Sequence, residues 1–267
     1  MVDVQDAFEA DPVVDLIKEG VQMNPQDPRT IARVTGWLFV ITFVTSILAY
    51  FIFYTDVLDT PNLITGAGAD PTASVAMGAV LELFLIIANV GTAVVLFPIL
   101  KRQSEVGALG YVSARLVECT FIAVGIISLL AFVLMRQEGT AGTDAAVGQT
   151  FVAIYDRAFL LGPGFLAGFA NGLILGYLMY RSGLVPRGMA ILGLIGGPLI
   201  MATGIAIMFD VTEPGSALQA IATIPEFFWE LSLGIYLIVK GFKPSPILAM
   251  DGPVRVPESP SAVREGS

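Results

Sequence analysis

Residues Ser74–Leu100 read SVAMGAVLELFLIIANVGTAVVLFPIL, an apolar stretch interrupted by a single charge, Glu82, and a single amide, Asn89. At about 1.5 Å of rise per residue, a helix of this length crosses the roughly 30 Å of hydrocarbon in a bilayer. Comparable stretches occupy Ile31–Tyr54, Gly110–Met135, Tyr155–Tyr180, Gly188–Phe209 and Leu218–Val239. The chain is therefore expected to be an all-α, polytopic membrane protein, a bundle of six transmembrane helices over residues 31–243.

Composition agrees: 55% of residues are hydrophobic, 14% are charged and the mean hydropathy is +0.78. With 267 residues there is no room beside six spans for a separate soluble enzyme domain. The lipid bilayer is the first expected partner. The net charge of −9, with Asp3, Asp6, Glu9, Asp11, Asp15 and Glu19 near the start, argues against nucleic acid.

The chain has no histidine and one cysteine, Cys119. Ser-His-Asp and Cys-His catalysis, histidine-ligated haem, intrachain disulfides and Cys clusters for zinc or iron–sulfur are excluded. No lysine follows a glycine and no serine has glycine two residues before it, which removes the phosphate-binding loop and the nucleophile elbow. No cofactor and no metal site is expected.

Residues 1–30 form an acidic leader without the basic start of a signal peptide. Within it Pro12 opens a short amphipathic stretch, Val13, Val14, Leu16 and Ile17 against Asp15, Lys18 and Glu19, expected as a surface helix. Residues 244–267, with Pro244, Pro246, Pro253, Pro257 and Pro260, are expected to be disordered. Basic residues fall on one side of the spans: Lys18, Arg29, Arg33, Lys101, Arg102, Arg181, Arg187, Lys240 and Lys243. The opposite loops carry Asp56, Asp59, Asp70, Glu138, Asp144, Asp210 and Glu213, with Arg136 as the one cation. The positive-inside rule then predicts a cell (inner) membrane protein with both termini cytoplasmic. Trp37 at the inner boundary, and Tyr50 and Tyr54 at the outer, suit the aromatic belts.

Against this background six ionisable residues stand inside spans: Glu82, Glu118, Glu226, Glu230, Arg115 and Arg157. Each costs roughly 2.5–3.5 kcal/mol at mid-bilayer, so they must pair, protonate or line a polar cavity. Glu226 and Glu230 share one face, as do Glu82 and Asn89, and Arg115 is within reach of Glu118. Counting along each span places Glu82, Arg157 and Glu226 toward the outer side and Arg115 and Glu118 toward the inner. The expected pairings are Arg157 with Glu82 or Glu226, and Arg115 with Glu118 or Glu230. Four acids against two bases leave surplus carboxyls, which in low dielectric take up protons and are able to carry them. The competing reading makes these groups structural glue, with Arg115, Arg157 and Glu226 snorkelling. Glu118 and Glu230, the deepest, are the stronger functional candidates.

Gly164, Gly168, Gly172 and Gly176 form a ladder with a four-residue repeat in the fourth span, and Gly193 and Gly197 repeat the spacing in the fifth. Tight packing of these two spans is expected. Gly162-Pro163-Gly164 predicts a kink. Ala88-Asn89 and Ala170-Asn171 open a weak internal repeat of two helix hairpins running in the same direction.

Arg115-Leu116-Val117-Glu118, the stretch YRSGLVPRGMAILGLIG from Tyr180 to Gly196, and ELSLGIYLIVKGF from Glu230 to Phe242 resemble a family of bacterial and archaeal membrane proteins, domain of unknown function 4386. The resemblance runs from about Gln26 to Lys243, with Tyr236 where tryptophan would be expected. It implies a six-helix bundle in which Arg115, Glu118 and Glu230 match polar positions, and it implies no activity. Three classes stay open. One is a small secondary carrier or proton-linked permease, which requires a polar cavity reaching one face. Another is an accessory subunit packed on a membrane protein partner or a homo-oligomer, which requires an apolar or glycine-lined groove. The third is an intramembrane carboxylate-based enzyme, with carboxyls converging on one cavity. A small solute or lipid is the corresponding ligand.

Overall fold

The computed structural model describes residues 27–59, 70–138 and 145–251. Six helices are long and apolar enough to cross a membrane: α1 (Pro28–Leu58), α2 (Thr72–Leu100), α3 (Glu105–Gln137), α4 (Ala146–Ser182), α5 (Arg187–Met208) and α6 (Ala217–Val239). There is no strand among the described residues. The amphipathic stretch around Pro12, Asp144 and the tail beyond 251 lie outside them.

The helix starts are chemically marked. Asp27 caps α1 by accepting from the Thr30 amide at 3.0 Å, with Pro28 pre-setting the first helical φ. Ser104 caps α3 by accepting from the Gly107 amide at 3.0 Å, and Ser216 caps α6. Gly183, at φ +66°, ends α4 in the left-handed conformation and Pro186 starts the next helix.

Two helices depart from α geometry. In α1, Ala49–Tyr54 winds as a π-helix, and in α4 Gly162–Leu166 and Gly168–Leu175 do so. Pro163 lacks the amide an α turn needs, and the wider turn accommodates it. At Gly162-Pro163-Gly164, where the sequence predicts a kink, the structure shows a widened π-helical segment, followed by a second at Gly168–Leu175.

Each helix packs against its neighbours in sequence, and α6 closes onto α1. The apolar interior is split along the bundle. One cluster, with Leu96, Leu100, Tyr111, Met179 and Leu237, lies at the end bearing the basic loops, and another, with Tyr54, Val75, Phe132 and Tyr155, at the acidic end. Large apolar side chains such as Phe51, Ile87, Ile127 and Val239 face outward, as lipid-facing surfaces require.

Two boundaries and one side-chain placement differ from the sequence reading. The fourth helix begins at Ala146 rather than near Tyr155, because its first turns are amphipathic rather than uniformly apolar. Tyr54, expected in a belt facing lipid, is fully buried between helices. Beyond Lys243 the chain forms a 3-10 helix, Pro246–Asp251, with Ile247 and Leu248 packed on the basic-end cluster. The Lys243 amide donates to the Leu184 carbonyl at 2.7 Å, and the Ser245 hydroxyl to the Ser182 carbonyl at 2.7 Å.

Candidate functional site

A cavity of about 180 Å³ lies inside the bundle, with walls from α1, α2, α3, α4 and α6. Glu82, Asn89, Arg115, Glu118 and Glu230 supply its polar wall, while Phe43, Tyr50, Leu85, Ile122 and Phe159 supply its apolar one. Five of the seven ionisable or amide residues singled out within the spans therefore share one space. The remaining two, Arg157 and Glu226, do not line it.

At the acidic end Glu82 is held by α1 and α4. The Tyr54 hydroxyl donates to Oε2 at 3.1 Å and the Tyr155 hydroxyl to Oε1 at 3.2 Å. The two rings meet edge to face at 5.3 Å, and Gly78, one turn before Glu82, makes room for the Tyr54 ring: a Cβ there would lie 2.2 Å from it.

Deeper in the bundle, the Arg115 guanidinium donates to Glu118 Oε2 at 2.7 Å and, through its other terminal nitrogen, to Asn89 Oδ1. The Asn89 amide returns to Glu118 Oε1 at 3.3 Å. This three-membered cluster joins α2 to α3 and satisfies both oxygens of Glu118. Arg115 Nε is buried without a hydrogen-bond partner.

A parallel cluster ties α3, α4 and α6. The Tyr111 hydroxyl donates to Asn171 Oδ1 at 3.0 Å, the Asn171 amide donates to Glu230 Oε1, and the Trp229 indole donates to the Asn171 main-chain carbonyl at 3.0 Å. Asn89 and Asn171, which open the weak internal repeat, thus do the same chemistry. Each gives its amide to a glutamate and takes a donor on its carbonyl.

The expected pairing of Arg157 is overturned. It is exposed on α4, while the hydrogen bonds of Glu82 come from tyrosines. Glu226 is 4% exposed, yet neither carboxyl oxygen has a hydrogen-bond partner. It lies where α4, α5 and α6 meet: a Cβ on Gly172 would stand 2.8 Å from its Oε2, and one on Gly196 would stand 2.4 Å from its backbone nitrogen.

The glycine ladder is used unevenly. Gly168 and Gly172 press on Gly197, with an added Cβ at 2.8 Å from its carbonyl oxygen or 2.4 Å from its Cα. Gly176 has only ordinary contacts to α5, and Gly164 is closest to Phe159 of its own helix. Gly193, expected against α4, instead admits Trp229 of α6 at 2.7 Å.

Sequence reading missed Tyr54, Tyr111, Tyr155, Asn171 and Trp229 as members of the polar network. For Asn171 the Ala-Asn repeat was the available signal; for the aromatic residues there was none, since nothing in a helical period distinguishes a tyrosine facing a carboxyl from one facing lipid. Among the described residues, no group of three or more His, Cys, Asp or Glu is placed to hold a metal ion.

No curated protein and no solved structure matches the chain. The family model described as domain of unknown function (DUF4386) matches residues 34–241, a range that contains every residue of the buried network, and the chain belongs to that family.

Proposed function

We propose that this multi-pass membrane protein is a small secondary carrier, a proton-linked permease whose solute site is the cavity between α1, α2, α3, α4 and α6. The observation that carries the reading is the convergence of Glu82, Glu118 and Glu230 on one cavity, with Arg115 as the one cation in its wall among the described residues. Buried carboxyls beside a space large enough for several waters are the means by which a bundle can bind a solute and exchange protons for it. Pro163, in the first π-helical segment of α4, and Ala167, between the two segments, border this cavity, and broken helix geometry lines the solute site in many carriers. In this reading the basic loops are cytoplasmic and the protein lies in the cell membrane with both ends inside.

The convergence of carboxyls also favours a second reading, an intramembrane acid–base enzyme, which needs two such groups at one cavity. An accessory subunit has less support, because it calls for no polar cavity.

The test is proton movement in liposomes containing the full chain, loaded with a pH-sensitive dye and held under a pH gradient. Members of a panel of small cationic, anionic and neutral solutes are added in turn. At least one is expected to collapse the gradient, and Glu230→Gln and Glu118→Gln are expected to abolish that response while the protein still inserts. Product formed from a solute without proton movement would make it an enzyme. A silent panel, together with a membrane protein co-purifying in fixed ratio, would make it an accessory subunit. A reporter fused after Gly241 that proved external would overturn the orientation.

A further inference from the structure

The charges of the cavity do not balance, and the imbalance has a direction. Three carboxyls, those of Glu82, Glu118 and Glu230, face one guanidinium, that of Arg115. Arg115 is committed to Glu118 by an ion pair at 2.7 Å and to Asn89 by a hydrogen bond. The hydrogen-bond partners of Glu82 are Tyr54 and Tyr155, and that of Glu230 is Asn171, all neutral side chains. Two acids in the cavity wall are thus hydrogen-bonded to neutral groups, with no ion-pair partner among the described residues.

Rings share this lining with the carboxyls. Phe43, Tyr50 and Phe159 line the same space, with the Tyr50 and Phe159 rings 5.3 Å apart and tilted by 31°. Aromatic faces attract cations, whereas a bare metal ion needs several carboxylate or carbonyl oxygens converging on one point, and among the described residues no group of three or more His, Cys, Asp or Glu is placed to do that. A cation carried on carbon suits both the carboxyls and the rings. The volume, about 180 Å³, is below the roughly 300–1,000 Å³ of sites for drug-sized ligands, which limits the guest to a small molecule.

We propose that the cavity binds a small organic cation, an ammonium group with a compact apolar substituent, with its charge between Glu82 and Glu230 and its carbon against Phe43, Tyr50 and Phe159. This rests on the carrier reading and names its substrate class. It also supplies a coupling rule. In a low-dielectric space a carboxyl is neutralised by a proton or by a cationic guest, and both compete for the same oxygens. Binding the cation expels protons, and protonation expels the cation. The titratable and charged groups in the wall are Tyr50 on α1, Glu82 on α2, Arg115 and Glu118 on α3 and Glu230 on α6, with Tyr54, Tyr111 and Tyr155 behind them in the hydrogen-bond network and Glu226 on α6 outside the wall; among the described residues α5 contributes none.

The experiment is calorimetric titration of the full chain in detergent with benzylammonium, with benzyl alcohol as its neutral counterpart of like shape and benzoate as the anion. Running it in buffers of different ionisation enthalpy counts the protons released. Benzylammonium is expected to bind at least about tenfold more tightly than benzyl alcohol, the ratio that one modest charge interaction gives. Its affinity is expected to fall as pH is lowered, with proton release on binding. Glu82→Gln and Glu230→Gln should each weaken it about tenfold. Phe159→Leu should weaken it while leaving every carboxyl in place, and monodisperse elution of each variant shows that it has folded.

Equal binding of the alcohol, tighter binding of benzoate, or no benzylammonium binding by folded protein overturns the proposal. Benzylammonium that binds but collapses no pH gradient in liposomes leaves the cation site standing and removes the carrier. A gradient collapsed by a neutral or anionic solute and not by benzylammonium keeps the carrier and removes the cation.

Discussion

The indole of Trp229 donates to the main-chain carbonyl of Asn171 at 3.0 Å, and the same carbonyl also accepts from the Gly176 amide through the widened turn of α4. Trp229 is fully buried and fills the gap left by Gly193, so three helices are registered by one side chain. Trp229→Phe keeps most of the ring volume and loses the donor. It should cost about 1 kcal/mol, seen as a drop of about 2–4 °C in the melting temperature of the detergent-solubilised protein. An unchanged melting temperature would mean that the bond does not contribute.

Glycine replacements should separate by what a new methyl group would strike. At Gly172 and Gly197 the obstacle is backbone of the facing helix at 2.4 Å, which cannot swing aside, so Gly172→Ala and Gly197→Ala should lose folded protein in detergent. At Gly188, in the first turn of α5, a Cβ meets nothing within 4 Å. There alanine should be neutral or stabilising by about 0.4–1 kcal/mol, because it restricts the unfolded chain. Equal yields for all three would refute the close α4–α5 crossing.

Breaking the Arg115–Glu118 pair from one side strands a buried charge. Arg115→Met should destabilise by about 3–5 kcal/mol, whereas the double variant Arg115→Met/Glu118→Leu should recover most of that loss. Thermal melts of the single and double variants decide it: additive losses would mean that the two residues are not coupled.

Glu226 is buried with both oxygens unpartnered, a condition that costs about 1–3 kcal/mol for an ordinary polar group. Glu226→Met, similar in length and apolar, should raise the melting temperature by several degrees, at about 2–4 °C per kcal/mol. A fall instead would show that the carboxyl has a stabilising partner.

Much of the architecture was legible because length alone identifies a span: Ser74–Leu100 and Gly110–Met135 fall within α2 and α3. The Arg115–Glu118 pair was legible because three residues along a helix bring side chains together whatever the tertiary fold. Arg157 was misplaced for an equally physical reason. Its partners were assigned from depth along α4, but depth does not fix which face of a helix a residue occupies, and Arg157 is exposed while Gly168 and Gly172 turn inward against α5. Glu82 takes its partners from residues 28 and 73 positions away, which no local period encodes. Among the glutamates, depth along a span could be counted from sequence, but convergence on one cavity could not.

The order of the helices around the bundle carries one more consequence, for how the chain can be rewired. Since every helix neighbours its predecessor and α6 closes onto α1, the ring has no privileged starting point. Asp27 and Arg29, where α1 begins, share a surface cleft with Lys240 and Phe242, just past the end of α6. Six crossings are an even number, so a circular permutant joined by a short linker from residue 243 to residue 27 and opened within residues 139–144 keeps every helix pair and the direction of every crossing. Such a chain should insert and fold as the native one does, with its new ends on the opposite side of the membrane.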